Sequence, residues 1–173
     1  SWNIEKFTLN RFNNINLKKT NLSFFADKND ILIKNIFGFF EEIKISDGDI
    51  RLNLENGIKL NSNFNSKIDL SDQVTKKYID FFKKYDGVKG LRTLKADLNN
   101  NFSIEFDNTY KVKDYNYSIN GKLQKIKFEL LSPIKNNFIF EEIKNIYFSD
   151  LRIKTTFKPN TIKISGDGKY SFD

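Results

Sequence analysis

Apolar and polar residues alternate with period two along most of the chain. Ile50, Leu52 and Leu54 alternate with Arg51, Asn53 and Glu55, and Phe102, Ile104 and Phe106 alternate with Ser103, Glu105 and Asp107. Tyr115, Tyr117, Ile119 and Leu123 repeat the device, and Ile126, Phe128 and Leu130 follow in the opposite parity. The same spacing holds at Ile31/Ile33, Ile43/Ile45, Ile58/Leu60, Leu94/Ala96/Leu98, Leu151/Ile153 and Ile162/Ile164. Successive side chains of a strand point to opposite faces, so each segment has one apolar and one wet face. The expectation is a mainly β protein, an antiparallel sheet with one apolar face, in a single unit spanning 1–173.

Glycines place the turns. Asp47-Gly48 lies between Ile45 and Ile50, and a two-residue primed turn there puts Ile45 opposite Ile50 and Ile43 opposite Leu52. Glu55-Asn56-Gly57 predicts a three-residue hairpin loop with Gly57 in the left-handed position, keeping Leu54 and Ile58 on one face. Gly121 reads as a strand glycine, because odd-numbered apolar positions run through it from Tyr115 to Leu123. A bulge near Gln124 and Lys125 then resets the phase before Ile126.

One segment changes period. Val74, Tyr78, Phe81, Phe82 and Tyr85 form a helical stripe, which predicts one amphipathic helix near 71–86. Ser71 or Asp72 caps its start, Lys83 and Lys84 suit its negative end, and Gly87 ends it. About fourteen helical residues span roughly 21 Å, whereas ten or more strands about 4.8 Å apart make a sheet nearly 50 Å wide. The helix covers less than half of the apolar face. Either the sheet closes as a sandwich or barrel, or it curls into a gutter whose apolar lining holds an apolar ligand; periodicity does not choose between them, and closed cores are the commoner solution. A transmembrane barrel needs strands of regular length with aromatic girdles, and these segments are too uneven.

Composition narrows the function. The 173 residues are enough for a real core, and they include no cysteine and no histidine. Disulfides, thiolate metal sites and the commonest general base are therefore missing, and a non-enzymatic protein without a cofactor is expected. The net charge is +7, which raises nucleic acid as a partner. The charge is almost all lysine spread along polar faces, however, with Arg11, Arg51, Arg92 and Arg152 the only arginines. Abundant Lys, Asn, Ile and Phe share A- and T-rich codons, so base composition accounts for it and no nucleic-acid partner is expected. The sequence has no Met and is still alternating at Tyr170 and Phe172, so it reads as a piece of a longer protein. No apolar stretch approaches the roughly 20 residues needed to span a bilayer.

The chemical motifs are sparse. Asp47-Gly48-Asp49 and Asp167 resemble fragments of calcium loops, but the further ligands do not follow at loop spacing. The adjacent carboxylates Glu41-Glu42 and Glu141-Glu142 point to opposite faces of a strand. Gly166-Asp167-Gly168 lacks the third glycine and the helix of a dinucleotide site. Ile43–Gly48 recurs loosely at Ile162–Gly168 and Phe40–Lys44 at Phe140–Lys144, but the two repeats imply different offsets, so they are reuse of strand vocabulary and not a duplicated domain.

A family resemblance follows from three stretches. Phe39 to Leu60 has a strand, an Asp-Gly turn and a returning strand. Tyr117 to Phe128 has a strand, a glycine, a Leu and a phase-shifted strand, and Phe148 to Lys154 is similar. These resemble units of the bacterial AsmA-like family of bridge-like lipid transport proteins, of the TamB and YhdP type. The resemblance implies a curved antiparallel β-sheet, an open groove or half-barrel, as a periplasmic β-groove in a Gram-negative bacterium, held at the inner membrane by a segment not present here. Its partners would be phospholipid acyl chains and, through other segments, the inner and outer membranes. The implied lining comprises Ile43, Ile45, Ile50, Leu52, Leu54, Ile58, Leu60, Phe102, Ile104, Phe106, Tyr117, Ile119 and Phe128. Two rivals stay open: a closed β-sandwich acting as an extracytoplasmic interaction or adhesion module, and a basic β-domain binding nucleic acid.

Overall fold

A computed structural model describes residues 2–9, 15–40, 42–55, 57–70, 88–136 and 139–173. Among the described residues nine strands follow one another: β1 (Trp2–Leu9), β2 (Ile15–Ala26), β3 (Asp30–Phe40), β4 (Ile43–Asn53), β5 (Ile58–Leu70), β6 (Val88–Phe106), β7 (Val112–Asn136), β8 (Ile139–Lys158) and β9 (Thr161–Phe172). Each pairs antiparallel with the next, in the order β1 to β9 without a crossover. Short links between alternating segments, all but the one over 71–87, favour this meander, since antiparallel neighbours can be joined by a tight turn. Each described strand packs substantially only on its neighbours in sequence, and β1 and β9 do not meet. The sheet is one open layer, not a closed barrel or a sandwich. The helix expected near 71–86 lies outside the described residues.

The β4–β5 hairpin forms as expected. Asn53 pairs with Lys59 and Leu52 with Leu60, and Gly57 takes a positive φ of 96°. The hairpin expected at Asp47-Gly48 does not form. Ile43 to Asn53 is a single strand, so Ile43 pairs with Ile68 and not with Leu52, and Ile45 pairs with Ser66 and not with Ile50. Between the pairs Ser46/Asn65 and Asp49/Asn63, two residues of β4 stand against the one residue of β5, Phe64. Asp47 sits at this bulge with φ 52°. An Asp in the left-handed region followed by Gly serves a bulge as well as a turn. Strand β3 pairs with β4 on both sides of the site, at Gly38/Ile45 and Ile33/Ile50, which carries the strand straight on. Gly48 fits because a Cβ there would stand 2.8 Å from Ile36 Cβ. The returning strand that helped to carry the AsmA-like resemblance therefore begins after residue 57.

The same device recurs across the sheet. Lys19 (φ 49°), Asn35 (φ 56°) and Asp150 (φ 53°) also take left-handed backbone at register shifts. In β6–β7, Ala96 pairs with Leu123 and Lys95 with Lys125, leaving Gln124 extra, where the phase reset was expected. Each bulge swaps the parity of the apolar positions without moving them to the other face. Odd Ile31 and Ile33 are followed by even Ile36 and Phe40. Odd Ile43 and Ile45 are followed by even Ile50 and Leu52, and odd Leu123 by even Ile126. Bulges also bend a strand and add twist, which curves a sheet whose longest strand, β7, has 25 residues.

The tightest packing lies in β6 and β7. Leu91, Ala96, Leu123 and Ile126 form a buried cluster, flanked by residues that include Leu94, Leu98, Phe128, Phe148 and Leu151. Ala96 is wholly covered, because its short side chain sits among longer neighbours.

Candidate functional site

The register brings nearly all of the implied lining to one face. Leu52 stands beside Leu60, Leu60 beside Ile104, and Ile58 beside Phe106. Ile50 and Phe102 both oppose Ser62, Phe102 opposes Tyr117, and Ile119 opposes Asn100. Ile43 and Ile45 join this face beside Ile68 and Ser66. Phe128 joins it beside Leu91 and Ile146. Leu54 is the exception: it lies past the end of β4 and is exposed, with its backbone N–H donated to Asn29 O at 2.7 Å.

At the middle of this face the side chains leave a hollow of about 450 Å³, within the usual size range of ligand pockets. Its walls come from five strands, with Phe40 of β3, Ile43 and Ile45 of β4, Phe64 and Ile68 of β5, Leu98 of β6 and Ile119 of β7. A hollow of about 390 Å³ also lies on the opposite face of β4 to β7, lined by polar side chains such as Lys44, Asn65, Lys67 and Asn99, so what distinguishes this one is its apolar lining. Aromatic rings continue the surface: Tyr117 stacks on Phe157 at 5.7 Å and meets Phe102 edge-on at 5.9 Å.

Three polar side chains line the hollow. Asn100 is only 3 % exposed, and its Nδ2 donates to Ser66 Oγ at 3.0 Å and to the Phe64 and Leu98 carbonyls at 3.3 and 3.4 Å. Tyr117 Oη donates to Asn100 Oδ1 at 2.8 Å. Half-burial pushes the Tyr117 pKa upward, since charging a phenol away from water is unfavourable, so it remains a neutral donor. Sequence reading missed Ser66 and Asn100 as site residues. The signal was present: both are polar at apolar-phase positions, between Phe64 and Ile68 and between Leu98 and Phe102.

The opposite face has a different chemistry. Asn101 donates to Asn99, Asn99 to Asn65, and Asn65 to Asp47, at 2.7, 3.0 and 2.9 Å, forming a ladder across β6, β5 and β4. Lys44 Nζ lies 5.2 Å from the Phe37 ring centroid, so an aromatic residue on this side is capped by a cation. Lysines pair with carboxylates across the sheet, as in Lys113–Glu105 at 3.0 Å, Lys122–Asp150 at 2.6 Å and Lys135–Glu142 at 2.6 Å. Each of these partners holds its carboxyl below the ordinary range. Among the described residues no group of three or more acidic side chains is placed to hold a metal.

The arrangement is therefore an open sheet with an apolar, hollowed face and a charged, internally hydrogen-bonded face. No family model, no curated protein and no solved structure matches this chain.

Proposed function

We propose that this chain is a length of hydrophobic β-groove of the AsmA-like kind, which carries phospholipid acyl chains between the inner and outer membranes without covalent chemistry. One observation supports the reading above all: a single open layer keeps a largely apolar face across β3 to β8, and that face is hollowed and not filled. Covering such a face is worth about 0.8 kcal/mol for each methylene removed from water, so an acyl chain laid along it is held without any directional contact. Headgroups would stay at the rim, in water, and the lysines of the other face keep the sheet soluble. The reading places the chain in the periplasm, tied to the inner membrane by a segment beyond these residues.

Lipid extraction and mass spectrometry of the purified chain test it. Phospholipid should copurify, and Ile104→Asp should abolish that while leaving the far-ultraviolet circular dichroism spectrum unchanged, because a charge on an open lining still reaches water. A lipid-free parent chain, together with an Ile104→Asp variant that unfolds, would reject the groove.

A further inference from the structure

The polar trio in the hollow has one group left over. Asn100 is fully used, with its Nδ2 directed at Ser66 Oγ and two backbone carbonyls and its Oδ1 taken by Tyr117. Ser66 Oγ spends a lone pair accepting from Asn100, so its own hydroxyl proton remains to be donated. Among the described residues no hydrogen bond takes it. Ser66 is buried and lines the hollow, so that proton is available for donation into the space a ligand would fill.

We propose that the hollow is a resting position in the groove for an acyl chain bearing a carbonyl, as an ester or a carboxylic acid, with the Ser66 hydroxyl donating to that carbonyl. The inference rests on the groove reading above and adds where along the groove a lipid stops, and by which of its atoms. Hydrocarbon laid over Ser66 strips water from an O–H and offers no acceptor in return, which is unfavourable. A carbonyl at the same place restores the bond. Asn100 and Tyr117 position Ser66, because the Asn100 donation occupies one serine lone pair and so restricts the directions open to its proton. A few placed polar groups in an apolar pocket commonly set ligand orientation in this way.

The test compares methyl palmitate with hexadecane as competitors for a fluorescent fatty acid bound to the full chain. The wild type should prefer methyl palmitate by about tenfold, equivalent to ~1.4 kcal/mol. Ser66→Ala should bind hexadecane as well as the wild type does and lose the preference. It orphans no donor, since Asn100 keeps the Phe64 and Leu98 carbonyls. Ser66→Thr, which keeps the hydroxyl, should retain the preference, and Ser66→Cys, a similar volume with a weaker donor, gives a second reading if the alanine variant folds poorly. Equal binding of both ligands by the wild type, or a preference that survives in both Ser66→Ala and Ser66→Cys, would overturn the resting position and leave the groove intact. Binding of neither ligand would remove the groove reading and this inference together.

Discussion

Ile126 in β7 and Ile164 in β9 occupy the same phase of the same alternation and lie on the same face of the same sheet, yet Ile126 is 7 % exposed and Ile164 is 69 % exposed. The difference lies in their neighbours. Ile126 is flanked on both sides, by Leu94 of β6 and Phe148 of β8, and sits inside the packed cluster. Among the described residues Ile164 has a strand on one side only, where its partner is the small Thr155, and the next apolar-phase positions along β9 are Gly166 and Gly168. Alternation therefore selects a face, and the number and size of cross-strand neighbours decide whether that face is a core or a surface.

The largest test of this contrast is a charge. Ile126→Asp should bury an unpaired carboxylate among Leu94, Leu123 and Phe148, cost more than about 4 kcal/mol and unfold the domain. Ile164→Asp should change stability by less than about 0.5 kcal/mol. Thermal melts of the two variants side by side check the pair. Similar losses would mean that β9 is covered in solution.

A smaller test separates two reasons for glycine. A Cβ at Gly121 would come within 2.2 Å of the Asp97 carbonyl oxygen and 2.8 Å of Leu98 Cα, both backbone atoms of β6. Gly121→Ala must push β6 and β7 apart at the edge of the hollow and should cost roughly 1–3 kcal/mol. Gly57, with φ 96°, has open space around it. Gly57→Ala should cost only about 1 kcal/mol, from backbone conformation alone. Denaturant melts should rank them in that order, and only Gly121→Ala should alter ligand binding.

The smallest expected effect is electrostatic. Glu129 of β7 is held below the ordinary glutamate range by hydrogen bonds from Lys89, at 2.7 Å, and from Arg92, on β6 beside the packed cluster. A carboxylate whose folded pKa is lowered stabilises fully above its unfolded value of about 4.3. That stability is lost as pH falls below this value and through the folded one. The pair is near the surface, so the gain is under about 1 kcal/mol. Glu129→Gln should flatten the acid limb of a stability–pH curve and leave neutral-pH stability lower by that amount.

Much of this was legible before any coordinates. The mainly β class, the antiparallel meander, the Gly57 hairpin and the Gln124 phase reset all follow from local rules of strand geometry and backbone conformation. So does the face shared by Ile50, Leu52, Leu60, Ile104 and Phe128. Asp47-Gly48 was not resolvable, because a left-handed residue followed by glycine suits a reversal and a bulge equally well. Only the partners on either side, Gly38 and Ile33 of β3 against Ile45 and Ile50, carry the chain onward. The polar trio was likewise visible only as two misplaced residues. Ser66, Asn100 and Tyr117 are far apart in sequence, and it takes the β5–β6–β7 register to make them one hydrogen-bonded group.

The sequence by itself determined which side of every strand is greasy, since side-chain direction is a local property of period two. Tertiary structure decided whether those sides meet one another. Closure, cover and hollow depend on how many strands stand alongside, how far bulges bend them and which small residues fall opposite, and none of these is encoded within a single strand.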